Sequence, residues 1–206
     1  MSKFENFIYT NDDVISEEFC KEVFNFTNNN LDSIKELQSV WMNPAEDTLD
    51  AKIKERTDFN YYWAPYSLCT PPIHLVMEVV NVITGGLKEY AAKYPAISLI
   101  TPYGLEMEEI KYHVVKSGEG YHGWHSEWHS SPPQDKRILV WHIALTSHEN
   151  EGELEFLYHK ERITAKAGRL IIWPAFFPWI HRGNAIRTDT EKHYLTGWFH
   201  TSESRK

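Results

Sequence analysis

Hydrophobic residues repeat at two different periods along the chain, and the period changes near Pro95. Before that point, apolar residues recur every three or four positions in two segments, one after the favourable N-cap residue Ser16 and one over residues 73–94. Each segment predicts an amphipathic helix. The first should end at the Asn run of residues 28–30, and the second carries Gly85 and Gly86, where a kink or a break is expected.

After Pro95 the apolar residues alternate with polar ones or form short continuous runs, which is typical of β-strands. Segments of this kind, bounded by Gly, Pro, Asn or Asp, predict strands over residues 107–115, 138–146, 154–158, 162–165, 170–173 and 193–199. Residues 118–129 add another, and earlier strands are predicted at residues 4–9 and 59–63. Helices that precede many short strands favour a mainly β, α+β fold, a sandwich or barrel with the helices packed on one sheet.

The composition narrows the class of protein. The 206 residues suit one domain, and 42% hydrophobic with 14% aromatic residues exclude intrinsic disorder. No apolar run approaches the ~20 residues of a membrane span, and residues 1–5 do not begin a secretory signal. The two cysteines, Cys20 and Cys69, make no disulfide framework, so we expect a cytoplasmic location. A net charge of −8 argues against nucleic acid as the main partner.

Histidines are concentrated in the second half, where ten of the 11 lie between His113 and His200. His125 and Glu127 are two residues apart, so on an extended chain both side chains point the same way. His181 follows 56 residues after His125 and supplies a third ligand. Two histidines and one carboxylate on one face are the ligand set of non-haem Fe(II) sites with open positions. Catalytic zinc sites use the same residue types, so the spacing leaves both metals open.

A cation follows the distal histidine. In the predicted last strand, alternate residues share one face, namely Lys192, Tyr194, Thr196 and Trp198. If the two aromatic residues point into a barrel, the Lys192 ammonium is buried there as well, and a buried charge needs a partner. We expect that partner to be the far carboxylate of a dianionic acid that chelates the metal. Arg182 and Arg187 are rival cations, but both fall in a predicted hairpin and should be exposed.

These residues resemble the 2-oxoglutarate- and Fe(II)-dependent dioxygenases, specifically the prolyl-4-hydroxylase-like branch of microbial and viral proteins. The shared pattern is a His-x-Asp/Glu pair, a distal His and a later Lys or Arg, here His125, Glu127, His181 and Lys192. Residues 151–156 are similar to the family's Gly-Gly-x-Thr-x-Phe strand, and residues 167–174 resemble the strand and turn before the distal His. The resemblance covers roughly residues 107–200.

Three positions depart from the family pattern. Glu127 replaces the commoner Asp, and its longer side chain is still able to ligate iron, whereas a Gly or Ala there would indicate halogenation. Leu154 stands where Thr is usual, so a co-substrate or packing contact is expected to be missing. The gap of 11 residues from His181 to Lys192 is one residue longer than usual. This gap leaves a one-residue ambiguity, although the strand alternation favours Lys192.

The resemblance implies a double-stranded β-helix, or jelly roll, with the N-terminal helices packed on one sheet. It implies one dioxygenase domain over residues 1–206, in which residues 1–100 are a strand and helical support region and residues 107–200 are the catalytic core. It also implies Fe(II) as the metal, 2-oxoglutarate and O₂ as co-substrates, and ascorbate as a reductant. The implied reaction releases CO₂ and succinate and hydroxylates an unactivated C–H bond.

The resemblance also implies roles for single residues. His125, Glu127 and His181 would hold the iron. Lys192 would pair with the far carboxylate of 2-oxoglutarate, and Thr196 would add a hydrogen bond to it.

Five further residues receive weaker assignments. Tyr112 is expected to reach the same carboxylate, although an ordinary aromatic residue of the strand explains it equally well. Trp141 and Trp198 are the expected walls of the substrate pocket. His122 and His129 lie near the metal pair and are expected to support it or to lie on the surface.

No residue selects the substrate. Peptidyl proline follows from the resemblance alone, and a free amino acid or small metabolite is the alternative, so the expected partner is a peptide or a small molecule. Residues 32–72 are candidates for substrate loops. Two other classes stay open: a non-catalytic jelly-roll binding module that has lost the metal, and a zinc hydrolase with the same three ligands.

Overall fold

The computed structural model describes residues 6–12, 14–30, 54–60, 71–107, 110–128, 130 and 136–202. Several predicted features therefore lie wholly or partly outside the described residues, namely the strands at 4–9 and 59–63, most of the region 32–72, Cys69 and His129. Within the described ranges, no helix is long and apolar enough to cross a membrane.

The first predicted helix is present as α1, Glu17–Asn29. It begins after Ser16, whose Oγ accepts a hydrogen bond from the Phe19 N–H at 3.1 Å and so satisfies one N–H group of the first turn. Glu17 and Glu18 in that turn are favourable for the helix dipole. A short 3-10 helix, Pro95–Leu99, was not predicted and lies just before the strand-rich part.

The second predicted helix is α2, Ile73–Lys93. It is continuous through Gly85 and Gly86, so the expected break is absent. Gly86 is instead a close contact with the sheet, because a Cβ at this position would clash with Leu170. The glycine therefore lets the helix approach the strand that carries Leu170.

The described residues also form twelve strands in two antiparallel sheets. Their bounds are β1 Tyr9–Asn11, β2 Lys54–Glu55, β3 Thr57–Asn60, β4 Leu105–Met107, β5 Lys111–Val115, β6 Gly120–His125, β7 Arg137–Ala144, β8 Leu154–Phe156, β9 Glu161–Ile163, β10 Leu170–Pro174, β11 His181–Gly183 and β12 Lys192–Thr201. The major sheet has the order β1-β10-β7-β12-β5-β3, with β4 also paired to β12, and the minor sheet has the order β2-β6-β11-β8-β9.

Two apolar layers hold these elements together. Helices α1 and α2 pack on one face of the major sheet, where they share a core with Leu170, Ile172 and Leu195. The other face of the major sheet packs against the minor sheet through residues such as Trp173 and Phe156. Two facing antiparallel sheets with helices on one of them confirm the predicted mainly β jelly roll.

Strand β12 shows how the major sheet divides its residues between these layers. Leu195 and Phe199 face the helices. Alternate residues face the space between the sheets, where a cavity is lined by Lys192, Tyr194, Thr196 and Trp198. The alternation predicted for this strand is therefore present.

Candidate active site

Three side chains converge where the minor sheet meets the cavity. His125 ends β6 and lies directly opposite His181, the first residue of β11, in the antiparallel pair. Glu127 follows β6, where its backbone N–H donates to the Ala175 carbonyl at 3.0 Å. Its Oε1 lies 3.3 Å from His125 Nε2 and 3.5 Å from His181 Nε2. One ligand atom from each residue lies within 4.8 Å of the others, so the three residues could hold one metal ion.

Backbone carbonyls fix the orientation of both imidazoles. His125 Nδ1 lies 2.9 Å from the Gly123 carbonyl oxygen, and His181 Nδ1 lies 3.0 Å from that of Trp179. A carbonyl only accepts, so each Nδ1 carries a proton, and Nε2 is the atom of each ring that faces Glu127. Each Nε2 either shares a proton with the carboxylate or presents a lone pair to a cation that lies between them. The donor set therefore fits a divalent metal ion, with the second-shell hydrogen bonds that metal-bound histidines make.

The protonation states agree with this arrangement. Burial raises the pKa of Glu127, but hydrogen bonds and charge interactions with His125 and His181 outweigh burial and hold that pKa well below its usual range. Burial lowers the pKa of His125. Near neutral pH the carboxylate is therefore ionised and this imidazole is neutral, which are the forms that bind a metal.

The second oxygen of Glu127 is held away from that point. Trp198 Nε1 donates to Glu127 Oε2 at 3.1 Å, and an Arg137 guanidinium nitrogen lies 3.5 Å from the same oxygen. The guanidinium carbon of Arg137 lies 3.6 Å from the centroid of the Trp198 ring. Oε1 is thus the carboxylate oxygen that faces the two histidines.

The cavity has a volume of about 210 Å³ and contains a buried ammonium. Lys192 is 5% exposed, and its Nζ donates to the Gly152 carbonyl at 2.6 Å. Burial lowers the pKa of Lys192 to about 8. No carboxylate in the described part of the chain forms an ion pair with Nζ, so the charge is available to an anionic ligand.

The rival cations lie elsewhere. Arg182 makes a two-point contact with Glu155 Oε2 at 2.9 and 2.8 Å and stacks over Trp124. Arg187 is exposed and donates to the Asn150 carbonyl. Neither arginine lines the cavity.

Tyr112 and Trp141 do not line the cavity, and their predicted places there are corrected. Tyr112 pairs with Leu195 across β5 and β12, and Trp141 pairs with Gly197 across β7 and β12. Both side chains consequently face the helices. The Tyr112 hydroxyl lies 3.0 Å from His193 Nδ1, which faces the same layer. The cavity is lined instead by their strand neighbours Lys111, Val140 and His142.

A buried polar network that sequence analysis missed lies at one side of the cavity. Arg56, between β2 and β3, donates to the Tyr194 hydroxyl at 2.8 Å and lies 2.7 Å from Asp58. Asp58 lies 2.5 Å from His113 Nδ1, and His113 Nε2 lies 2.7 Å from Thr196 Oγ1. His113 lies in β5, where both faces are buried and no alternation marks a face, and Arg56 and Asp58 fall in a polar region without a hydrophobic period.

This network fixes the direction of the Thr196 hydroxyl. Burial raises the pKa of Asp58, but His113 and Arg56 outweigh it and lower that pKa, so the carboxylate is ionised and accepts the Nδ1–H of His113. Burial lowers the pKa of His113 to about 4, so its Nε2 is unprotonated and accepts the Thr196 hydrogen. Thr196 therefore presents lone pairs to the cavity, which conflicts with its predicted donation to a carboxylate.

Of the remaining predicted residues, some line the cavity and others lie at the protein surface. Trp198 lines the cavity, as do Leu154 and Trp173. His122 is exposed and is not part of the cavity wall. Leu154, which occupies the place of the family's Thr, thus contributes an apolar patch where the family has a hydroxyl.

Comparisons with known proteins agree with this fold and site. A model of the 2OG-Fe(II) oxygenase superfamily matches residues 110–200, the stretch that contains all three converging side chains and Lys192. No curated protein matches the chain.

Solved structures of prolyl hydroxylases are similar over nearly the whole chain. The viral collagen prolyl hydroxylase of Paramecium bursaria Chlorella virus 1, solved with 2-oxoglutarate, is 14% identical and gives a TM-score of 0.64, with 95% of this chain and 97% of that chain covered. A Pseudomonas putida prolyl-4-hydroxylase is 16% identical, with a TM-score of 0.58 and coverages of 96% and 94%.

A third similar structure is a Trichoplax adhaerens prolyl hydroxylase in complex with a hypoxia inducible factor peptide fragment. It is 13% identical, with a TM-score of 0.63 and coverages of 95% and 84%. Identities this low show a shared fold. The family-model match over residues 110–200 and the shared prolyl-4-hydroxylase-like fold together support an Fe(II)- and 2-oxoglutarate-dependent dioxygenase.

Proposed function

We propose that this dioxygenase hydroxylates a prolyl residue within a peptide. In this proposal His125, Glu127 and His181 hold Fe(II), and Lys192 binds the far carboxylate of 2-oxoglutarate. The observation that carries the proposal is the approach of three ligand atoms to within 4.8 Å of one another beside a cavity that contains a buried ammonium.

The three ligand side chains would hold the metal from one side. Both histidines would offer Nε2, because their Nδ1 protons are donated to backbone carbonyls. Trp198 donates to Oε2 of Glu127, so Oε1 is the oxygen that would bind the metal. The other side would be left for a chelating keto acid and O₂. Bound Fe(II) supplies the oxidation, in which O₂ and 2-oxoglutarate yield succinate, CO₂ and one oxygen atom inserted into the substrate C–H bond.

Lys192 contributes orientation and charge. An ammonium buried without a carboxylate partner is unfavourable, and a bound dianion would relieve that penalty. The apolar walls Leu154 and Trp173 would exclude water beside the same ligand. The diacid would thus be held at both ends, by the metal and by Lys192.

The peptide part of the proposal is supported by the cavity surroundings and by similar proteins. Trp124 and Trp128 flank the metal-binding pair and are 38% and 41% exposed, so part of each aromatic side chain reaches the surface beside the reacting centre. The similar structures named above are described as prolyl hydroxylases, one of them bound to a peptide.

Succinate formation across a substrate panel tests the proposal. The purified chain would receive Fe(II), 2-oxoglutarate and ascorbate together with proline-rich peptides, the same peptides with proline replaced by alanine, and free amino acids. We expect succinate and a gain of one oxygen atom in mass with the proline peptides only. Turnover with free amino acids alone would indicate a small-metabolite hydroxylase. No binding of 2-oxoglutarate would instead favour a zinc hydrolase or a non-catalytic module.

A further inference from the structure

His142 is a cavity residue to which neither the sequence pattern nor the proposed chemistry assigns a role. It lies in the middle of β7, opposite Thr196 of β12, and its side chain lines the cavity. The residue is 5% exposed, and its Nδ1 is buried without a hydrogen-bond partner among the residues that the structure describes. A buried polar atom left unpaired costs about 1–3 kcal/mol, so such atoms usually indicate a missing ligand or water.

The His142 ring and the Lys192 ammonium both contact the ring of Tyr194. His142 stacks on Tyr194, with ring centroids 4.7 Å apart, and Lys192 Nζ lies 4.8 Å from the centroid of the same tyrosine ring. Burial first, and then the charge of Lys192, hold the pKa of His142 well below its usual range. The imidazole is therefore neutral, with one N–H to donate.

The polar groups nearby leave room for an acceptor. Thr196 already donates its hydrogen to His113, and Arg56 is occupied by Asp58 and the Tyr194 hydroxyl. The N–H of His142 and the ammonium of Lys192 are both donors, and no described carboxylate forms an ion pair with either. A carboxylate placed between them would accept from both.

We propose that His142 is a co-substrate-binding residue, which donates a ring N–H to the same carboxylate of 2-oxoglutarate that pairs with Lys192. This inference rests on the proposed role of Lys192. His142 would then supply the second contact that sequence analysis gave to Tyr112, from the neighbouring strand. A neutral donor beside the lysine directs the carboxylate without adding a second buried charge.

Calorimetric binding to the full-length chain loaded with Mn(II) tests the proposal. The two probes are 2-oxoglutarate and 2-oxovalerate, a keto acid of equal length in which a methyl group replaces the far carboxylate. In His142→Leu we expect the Kd for 2-oxoglutarate to rise about tenfold or more, as for loss of a hydrogen bond to a charged group, and the Kd for 2-oxovalerate to stay unchanged. His142→Gln keeps an N–H donor and should recover most of the affinity.

The matched control is His159→Leu. His159 also has a buried Nδ1 that no described residue hydrogen-bonds, and it stacks on Trp179. It does not line the cavity, so both keto acids should bind as in the wild type. Unchanged 2-oxoglutarate binding in His142→Leu, or an equal loss for both keto acids, would overturn the inference. Equal, selective loss in the Leu and Gln variants would overturn the donor role. If the wild type binds neither acid, the proposed function itself fails.

Discussion

Replacing Lys192 with methionine removes the positive charge at the far end of the proposed co-substrate site and so measures its contribution to binding. Methionine has a similar length and no charge, so the side chain still fills the space. The variant should fold at least as stably as the wild type, because an apolar isostere of a buried charge is usually neutral or stabilising. Any loss of 2-oxoglutarate binding then reports the missing ammonium rather than a damaged fold.

The expected loss is large because the charge is buried. Lys192 is 5% exposed, so a carboxylate that reaches it leaves water, and without the ammonium it would be buried unpaired. Removing one partner of a buried ion pair costs about 3–5 kcal/mol. Since about 1.4 kcal/mol corresponds to a factor of ten, we expect the Kd for 2-oxoglutarate to rise roughly a hundredfold or more.

The assay is titration of 2-oxoglutarate and of 2-oxovalerate into the Mn(II)-loaded protein, wild type and Lys192→Met. Only the diacid should lose affinity. Arg187→Met is the control, because this exposed arginine donates to the Asn150 carbonyl and lies outside the cavity, so binding should not change. Wild-type affinity in Lys192→Met, or a large loss in Arg187→Met, would refute the assignment of the anchor.

Three further predictions follow from particular contacts. Trp198→Phe removes the hydrogen bond to Glu127 Oε2 and keeps an aromatic ring, so Mn(II) affinity measured by calorimetry should fall about tenfold. Wild-type affinity would contradict the role of this hydrogen bond in orienting Glu127. Because only the ammonium form of Lys192 pairs with a carboxylate and its pKa is about 8, 2-oxoglutarate affinity should fall as pH rises through 8, with proton uptake on binding above it; a flat profile would contradict this sign. Gly86→Ala, which clashes with Leu170, should lower the free energy of unfolding in urea by about 1–3 kcal/mol, whereas Gly85→Ala, with nothing within 4 Å, should not lower it.

The sequence predicted site residues correctly where those residues lie close together along the chain. His125 and Glu127 are two residues apart in the sequence, and the short spacing keeps both side chains at one point although β6 ends at His125. The alternation of β12 likewise indicated which residues share the face of Lys192, and they line one cavity.

The prediction of side-chain direction failed for strands that are buried on both faces. Nearly every residue of β5 and β7 is buried, so apolar and polar positions do not alternate, and Tyr112 and Trp141 could not be assigned to a face. Their direction follows from the register with β12, which a single sequence does not specify. Arg56 reaches the site by tertiary contacts, from a polar stretch without a hydrophobic period, for which the sequence favours a mixture of loop, short helix and edge strand.

Anaerobic addition of Fe(II) and then 2-oxoglutarate tests the central claim most directly. A keto acid that chelates a ferrous ion gives a visible charge-transfer absorption, which neither component gives alone. We expect the wild-type chain to develop this band with one equivalent of Fe(II), and His181→Ala, which removes one of the three convergent ligands, to lose it. A wild-type chain that stays colourless, or a His181→Ala variant that colours as strongly, would contradict a 2-oxoglutarate-binding iron site at His125, Glu127 and His181.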